Sequence, residues 1–260
     1  MRRVLLPHLA LSALDTIPVD IDLAKDAAHY LLRVLRQSPG ESIEICDGKG
    51  ARWHAHIHAD ATLERCRVGL IEPLPPIPTP FPVYLAQGIP KGDRFEQILR
   101  QGTEVGIAAF YPLSTERTVV QLDEKKAGTR RERWEKITAE AARQSQRSFA
   151  PTVHDVAELG GLVSALPVGV PVIVCWEGEQ ERGLRAWVRS FVSPPCGVVV
   201  LIGPEGGFSA KEVAFLADRG ILSVGLGPLI LRTETAGVAV ASILQYEWGV
   251  MAGVGTRELL

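Results

Sequence analysis

The sequence predicts an α/β protein with a small β-rich front part over residues 1–72 and a larger back part over residues 83–260. In the back part, apolar strand-like runs alternate with helix-like segments, which is typical of a mostly parallel sheet with helices on both faces. In the front part, short runs in which apolar and polar residues alternate flank turn-forming residues. Residues 73–82 read PLPPIPTPFP, and their six prolines predict an extended, semi-rigid connector between the two parts.

Composition sets broad limits on the class of protein. The 260 residues are 46% hydrophobic and 22% charged, which fits a soluble globular chain of one or two domains. The net charge of −2 provides no overall basic field, so any contact with nucleic acid must come from a local patch. The four cysteines form no C-x-x-C pair, so we expect neither a zinc site nor a disulfide framework, and a reducing cytoplasm fits.

The apolar run near the amino terminus resembles a secretory signal only superficially. Pro7 and His8 interrupt the run and no A-x-A pattern follows, so we interpret it as a first strand with Arg2 and Arg3 at its mouth. Nowhere does the sequence contain the roughly 18 consecutive apolar residues that would suggest a membrane span.

The other front-part elements follow from local patterns. Residues 24–35 predict a helix. Strands are predicted at residues 42–46, 53–59 and 66–71, with a hairpin turn at residues 47–50. His54, His56 and His58 share one face of a strand, and such a row can bind a metal. It more often forms the solvent face of a half-buried strand, which we favour. The expected result is a compact β-barrel with one or two helices.

The back part contains five strand-like runs, predicted at residues 83–89, 107–113, 170–176, 197–202 and 223–226. The helices between and after them are predicted at residues 93–105, 130–146, 181–191, 209–219 and 235–248. This regular alternation is the pattern from which we predict the parallel sheet.

Two glycine-bearing loops near the carboxyl terminus are the most informative feature of the chain. GPEGGFS occupies residues 203–209 and LGPLILRTETA occupies residues 226–236, and each joins an apolar run to the start of a helix. Carboxyl ends of parallel strands meet at one edge of a sheet, where open α/β sheets bind their ligands. The pair therefore predicts a binding site, although either loop alone is equally typical of a tight turn.

The first loop favours a ligand held by main-chain atoms. Gly203, Gly206 and Gly207 carry no Cβ, so backbone groups can contact a ligand directly. Ser209 and Glu212 have the spacing of a capping box at the start of the next helix. The loop lacks the Gly-Lys-Ser/Thr ending of a P-loop and the G-x-G-x-x-G spacing, which argues against a triphosphate or a nicotinamide dinucleotide as ligand.

The two loops resemble the signature of the SPOUT, or α/β-knot, RNA methyltransferases. More narrowly, they resemble the RsmE family, the 16S ribosomal RNA (uracil-N3) methyltransferases that act at uridine 1498. Further family-like motifs follow in the same order along nearly the whole chain: HYLLRVLR at 29–36, DGKG at 47–50, PKGDR at 90–94, TEVG at 103–106 and EAARQSQR at 140–147. The chain departs from the family pattern at Gln101, Gly102, Val105 and Gln146, none of which lies in the two loops.

The resemblance implies a fold, a cofactor and partners. It implies a PUA-like RNA-binding domain, a SPOUT domain with a deep trefoil knot, and a homodimer that shares its active site across the interface. It also implies S-adenosylmethionine as methyl donor and 16S rRNA of the small ribosomal subunit as substrate. Three alternatives stay open: methylation of another ribosomal or transfer RNA position, a non-catalytic RNA-binding role, and an enzyme that uses another adenine-containing cofactor.

The candidate donor-binding residues follow from the resemblance and from the two loops. They are Leu201, Ile202, Gly203, Pro204, Gly206, Gly207, Leu226, Gly227, Leu229, Leu231, Thr233 and Ala236. Main-chain groups of the glycine loops can hold adenine and ribose, and the leucines, together with Ile230, can line the adenine slot. Core packing is the alternative role of these apolar side chains, and the two roles are compatible.

The candidate catalytic residues are Glu205 and Arg232. Because N3 of uracil must lose a proton to become a good nucleophile, we expect a base or a group that stabilises the anion. Glu205 is the candidate for orienting or removing that proton, with a carboxylate at a helix terminus as an equally weighted alternative. Arg232 either stabilises negative charge on the uracil oxygens or pairs with Glu234.

The candidate RNA-binding residues are Arg2, Arg3, Arg33, Arg36, Lys49, Arg52, Gln144 and Arg147, and no metal is expected.

Overall fold

The computed structural model describes residues 2–6, 19–47, 51–75, 80–118, 124–147 and 149–252. Contacts divide the chain into two compact units. The first comprises Met1–Pro78 and Ala142–Ala150, and the second comprises Thr79–Ala141 and Pro151–Leu260. The predicted connector at residues 73–82 thus contains residues of both units, and residues 76–79 within it lie outside the described residues.

The first unit is built on a five-stranded sheet. In chain order its elements are β1 (Arg2–Leu5), β2 (Asp20–Leu23), α1 (Lys25–His29) with a π-helical turn (Tyr30–Val34), β3 (Ser42–Cys46), β4 (Arg52–Ile57) and β5 (Cys66–Leu74). The strand order is β1-β3-β4-β5-β2, with β1 and β3 parallel and the other neighbours antiparallel. Ile43, Ile45 and Ile57 pack with Leu31 in one apolar core.

The histidine row alternates with buried residues as the sequence predicts. Ala55 and Ile57 are fully buried, whereas His56 is exposed. The His58 Nε2 atom lies 2.9 Å from the Asp20 carboxylate, and its ring stacks on His56 with 5.2 Å between centroids. The row therefore lies on the polar face of the sheet, opposite the apolar core.

The second unit alternates strands and helices. In chain order its elements are β6 (Val83–Gly88), α2 (Arg94–Glu104), β7 (Ile107–Ser114), α3 (Glu124–Gln144), β8 (Thr152–Val153), β9 (Ala157–Glu158), α4 (Leu159–Ala165), β10 (Val172–Cys175), α5 (Leu184–Arg189), β11 (Val198–Ile202), α6 (Ala210–Ala217), β12 (Leu222–Val224) and α7 (Thr233–Trp248). The last residues of α3 belong to the first unit. Among the described helices, none has both the length and the apolar character that crossing a membrane requires.

The second unit has a parallel sheet in the order β12-β10-β11-β6-β7-β8, with β9 also pairing with β7. Successive side chains of a strand point to opposite faces. Accordingly, Val200 of β11 packs in one apolar cluster with Leu244 of α7, and Leu201 packs in another with Leu216 of α6. Helices thus cover both faces, and the predicted α/β class is confirmed.

Several elements differ from the sequence predictions. The strands β2, β8 and β9 and the helix α4 were not predicted, because they are short and because α4 contains two glycines that lower its helix propensity. The helix predicted at 181–191 begins only at Leu184, since Gly183 has an extended backbone. The helix predicted at 24–35 changes to a π-helical turn, and Arg36 follows it with a positive φ of 53°. Residues 48–50 of the predicted hairpin lie outside the described residues.

The strand order places a topological switch point beside β6. The chain runs from β6 to β7 on one side, and β11 later joins β6 on the other side. Parallel α/β sheets bind ligands outside the carboxyl ends of strands at such a point. Because β10, β11 and β12 are parallel neighbours, the loops that follow them lie at this same edge.

Gly102 provides a test of the packing between α2 and β7. A Cβ at this position would lie 2.7 Å from Ile107 Cδ1 and 2.8 Å from Phe110 Cζ. We expect Gly102→Ala to lower the free energy of unfolding by about 1–3 kcal/mol, because overpacking outweighs the better helix propensity of alanine. Gly128→Ala is the matched control, since nothing lies within 4 Å of the added Cβ. Urea denaturation of both variants makes the measurement, and a Gly102→Ala protein as stable as the control contradicts this packing.

Candidate functional site

Three loops form the carboxyl edge of the sheet in the second unit. We name them the β10 loop (residues 176–183), the β11 loop (residues 203–209) and the β12 loop (residues 225–232). The sequence predicted the last two as a pair. In the structure, β10 lies between β11 and β12, so a third loop joins the pair at the same edge.

The β11 loop folds tightly on itself. A Cβ on Gly203 would lie 2.7 Å from the carbonyl carbon of Gly207, so only glycine fits there without displacement. Gly207 has φ +67° and donates its N–H to the Pro204 carbonyl at 2.9 Å. Ser209 then caps α6, and both hydrogen bonds of the predicted capping box with Glu212 are present.

A buried polar network joins the β11 loop to the start of α7. The Thr233 hydroxyl donates to the Gly203 carbonyl at 2.6 Å. The Gln87 amide, at the end of β6, donates to Thr233 Oγ1 at 2.8 Å and to the Gly203 carbonyl at 3.3 Å. Gln87 and Gly203 lie more than 100 residues apart in the chain, so no local sequence pattern predicted this role of Gln87.

The apolar residues of the β12 loop fall into two groups. Leu226 and Leu231 are partly buried against the core that contains α7. Leu229 and Ile230, by contrast, are 76% and 91% exposed. The structure thus gives a packing role to the first group and leaves the second group free to cover a ligand or another chain.

The candidate donor-binding residues of β11 and α7 contribute in different ways. The side chains of Leu201 and Ile202 are buried in opposite apolar clusters, so only their main chain is available to a ligand. Ala236 is also buried, three residues after the hydrogen-bonded Thr233. Gly203, Pro204, Gly206 and Gly207 form the body of the β11 loop itself.

Glu179 fastens the β10 loop to β12. Its carboxylate accepts hydrogen bonds from the Ser223 hydroxyl and from the N–H groups of Glu181 and Arg182, at 2.8 and 3.0 Å for the two amides. The Ser223 hydroxyl, with these two amides, lowers the pKa of Glu179 to about 2. In the sequence, only the position of the β10 loop directly after the predicted strand at 170–176 indicated that this loop lies at the same edge as the other two.

Glu205 is held by the segment after β6 and does not cap a helix. The Lys91 N–H donates to Glu205 Oε1 at 3.0 Å, and the Arg94 guanidinium donates to the same oxygen. Partial burial raises the pKa of Glu205, but hydrogen bonds from its own N–H and from Lys91, together with Arg94, outweigh that effect and lower the pKa below its ordinary value. Glu205 is therefore an ionised carboxylate beside a cation, and a weak proton acceptor.

Arginines surround the two predicted loops. Arg232 precedes α7, is highly exposed, and places a guanidinium nitrogen 3.9 Å from Glu234. Arg117 donates to the Gly206 carbonyl, and Arg94 contacts Glu205 as described. The sequence predicted Arg232 but neither Arg94 nor Arg117 as part of the site, because both approach the β11 loop from distant positions in the chain.

Two of the candidate RNA-binding residues form a buried charge cluster in the first unit. Arg3 and Arg52 both donate to the Glu44 carboxylate. Burial raises the pKa of Glu44, but the hydrogen bonds from Arg52 and Arg3 outweigh it and lower the pKa to about 2. These contacts give Arg3 and Arg52 a structural role at the parallel β1–β3 pair.

The other candidate RNA-binding residues have varied surroundings. Arg33 and Arg36 line a surface cavity of about 630 Å³ in the first unit. Gln144 is exposed, whereas burial lowers the pKa of Arg147 to about 10. Lys49 and the side chain of Arg2 lie outside the described residues.

Comparison with known proteins gives matches over both units. Residues 77–245 match the RNA methyltransferase domain family, and residues 23–62 match the RNA methyltransferase PUA domain family. Ribosomal RNA small subunit methyltransferase E of Bacillus subtilis is 35% identical over 88% of this chain and 90% of its own length. The protein of the same name from Synechocystis is 34% identical over 91% of this chain and 76% of its own length.

Two solved structures are similar over nearly the whole chain. One is ribosomal RNA small subunit methyltransferase E of Neisseria gonorrhoeae bound to S-adenosyl methionine, with a TM-score of 0.82, 28% identity and coverage of 96% of this chain and 98% of that one. The other is a putative methyltransferase of Legionella pneumophila with bound SAM, with a TM-score of 0.80, 28% identity and coverage of 95% and 98%.

Together, the fold, the loop edge and these matches define an RNA methyltransferase of the SPOUT class with a PUA domain at its amino-terminal end. Within that class, the chain belongs to the ribosomal RNA small subunit methyltransferase E family, as the resemblance in its loops predicted.

The Thr233 hydroxyl provides a test of the network that holds the β11 loop. We expect Thr233→Val, which keeps the shape but removes the hydroxyl, to lower the free energy of unfolding by about 1–3 kcal/mol, because two buried partners lose a hydrogen bond. Thr233→Ser keeps the hydroxyl and is the control. Urea denaturation compares the three proteins, and equal stability of the valine and serine variants would show that the network contributes little.

Proposed function

We propose that this protein transfers the methyl group of S-adenosylmethionine to N3 of a uridine in 16S rRNA of the small ribosomal subunit, at the position equivalent to uridine 1498. Membership of the methyltransferase E family supports the substrate. The observation that supports the reaction is that the β10, β11 and β12 loops lie together at the carboxyl edge of the sheet. Such a substrate belongs to the cytoplasm, which is where we expect the protein to act.

The residues at the loop edge fit this donor. Gly206 is exposed and Gly207 is half-buried, so main-chain atoms of this part of the β11 loop are accessible to adenine and ribose. Leu229 and Ile230 supply exposed apolar surface in the β12 loop, at the same edge of the sheet. The β11 loop itself contains no lysine or arginine, and the arginines beside it contact Glu205 and the Gly206 carbonyl. When bound, the donor supplies an electrophilic methyl group, and the protein's task is to align it with the attacking nitrogen.

The charges around the β11 loop suggest how N3 of uracil is activated. Because hydrogen bonds lower the pKa of Glu205, this carboxylate accepts a hydrogen bond from N3–H more readily than it takes the proton. The exposed guanidinium of Arg232 is available to stabilise negative charge on the uracil oxygens. We therefore assign orientation of the base to Glu205 and anion stabilisation to Arg232, with Arg94 holding Glu205 in place.

The RNA reaches the site as a locally opened strand. A base that must meet a donor at N3, on its Watson–Crick edge, has to leave its stack and its pair. The first unit offers Arg33 and Arg36 beside a cavity for contacts with the surrounding RNA. Neutralisation of phosphates by such residues predicts that RNA affinity falls steeply with salt.

A homodimer completes the proposal. Several large apolar side chains at the end of α7 and just beyond it are exposed, namely Ile243, Tyr246, Val250 and Met251. Burial of such side chains against a second copy is a favourable way to remove them from water. The exposed Leu229 and Ile230 of the β12 loop offer further apolar surface for a second copy.

The test of this function is to map the methylated atom. The full-length protein is incubated with labelled S-adenosylmethionine and small ribosomal subunits that lack the modification. We expect label in one uridine of 16S rRNA, and nucleoside analysis is expected to identify 3-methyluridine. Label at another ribosomal position, or only in transfer RNA, would replace the proposed substrate. Donor binding without transfer to any RNA would favour a non-catalytic RNA-binding protein.

The role of Glu205 is tested by Glu205→Gln. We expect kcat to fall roughly 100-fold, because the neutral amide orients N3–H poorly, while affinity for S-adenosylmethionine changes little. We expect kcat of both proteins to rise with pH, because N3 loses its proton to solvent. Glu205 adds no titration of its own in the neutral range, since its pKa lies below the ordinary value of a glutamate. Unchanged methylation with normal donor affinity would remove Glu205 from the mechanism.

A further inference from the structure

A second glutamate of the β10 loop faces the β11 loop. A Cβ on Gly207 would lie 2.6 Å from Glu177 Oε1 and 2.9 Å from Glu177 Oε2. Both carboxylate oxygens of Glu177 therefore lie directly against the backbone of Gly207, at the point where that backbone has a positive φ of 67°. This contact places an acidic side chain next to the loop to which we assign the methyl donor.

Glu177 and Glu179 have different surroundings although they are two residues apart. The carboxylate of Glu179 is occupied by Ser223 and by two backbone N–H groups. Among the described residues, none forms a hydrogen bond or ion pair with the Glu177 carboxylate, and Glu177 is exposed. The nearby cation Arg117 is bound to the Gly206 carbonyl. Glu179 thus shapes the β10 loop, and the charge of Glu177 stays available at the edge.

We infer that Glu177 is the electrostatic partner of the positively charged sulfonium of the methyl donor, and that it makes the site prefer the donor over the demethylated product. This inference rests on the proposed function. In the transfer, the methyl–sulfur bond breaks and its electron pair stays on sulfur, while a new bond forms from N3 to the methyl carbon and the N3 proton leaves to solvent. The sulfur therefore changes from a cation to a neutral thioether.

The consequence is a difference in affinity between two nearly identical ligands. S-adenosylmethionine and S-adenosylhomocysteine differ by the methyl group and by the charge on sulfur, so a neighbouring carboxylate attracts the first and is nearly indifferent to the second. At a partly solvated surface, one such pair of charges changes an equilibrium constant by about three- to tenfold. Product release is favoured by the same factor, because attraction to Glu177 ends when the methyl group has left.

The experiment is calorimetric titration of full-length protein with S-adenosylmethionine and, separately, with S-adenosylhomocysteine. We expect Glu177→Gln to weaken binding of S-adenosylmethionine about three- to tenfold and to change binding of S-adenosylhomocysteine less than about twofold. Glu177→Lys should weaken S-adenosylmethionine further. The difference between the two ligands in the wild type should shrink as salt is added.

Glu181→Gln is the matched control, since it removes the same charge from an exposed position of the same loop. We expect it to leave the ratio of the two affinities unchanged within about twofold. Equal weakening of both ligands by Glu177→Gln, or no weakening of either, overturns the assignment of Glu177. Failure of the wild type to bind either ligand would instead overturn the proposed function, so the two failures are distinguishable.

Discussion

The hydrogen bond between the Thr233 hydroxyl and the Gly203 carbonyl is the constraint on which the loop edge depends. A buried carbonyl costs free energy when it lacks a partner, and Thr233 at the first turn of α7 provides that partner at 2.6 Å. The amide of Gln87 contacts the same two groups from the end of β6. One short network therefore fixes a strand end, a loop and a helix start relative to one another, and the tight closure at Gly203 is possible because these neighbours are fixed.

The carboxylates of the protein divide into those that hold the structure together and those that remain at the surface. Glu44, Glu179 and Glu212 each accept two or more hydrogen bonds, and at least one of these comes from another element of the fold. Glu205 is intermediate, because Arg94 and Lys91 fix it while leaving it at an exposed edge. An ionised, positioned carboxylate of this kind is suited to orienting a hydrogen-bond donor, and the neighbouring arginines are suited to stabilising an anion.

The parts of the structure that sequence predicted are those set by local patterns. The apolar runs predicted β6, β7, β10, β11 and β12 of the second unit, and the Ser209–Glu212 spacing predicted the cap of α6, because each depends on residues that are close in the sequence. Gln87, Arg94 and Arg117 reach the site from far along the chain, and no local pattern indicates such a contact. Arg3 was predicted as a surface cation for the same reason. Its contact with Glu44 depends on the pairing of β1 with β3, which no local pattern indicates.

A donor site built mainly from backbone, as we propose for this edge, has a particular physical consequence. Main-chain atoms at Gly206 and Gly207 can match the shape and hydrogen bonds of a ligand, but uncharged peptide groups discriminate weakly between a cationic ligand and a neutral one of nearly the same shape. Discrimination by charge must then come from the few ionisable side chains that touch the loops. Glu177, Glu205 and Arg232 lie in the loops after β10, β11 and β12, so the strand order as well as the loop sequences determines which charges lie side by side at this edge.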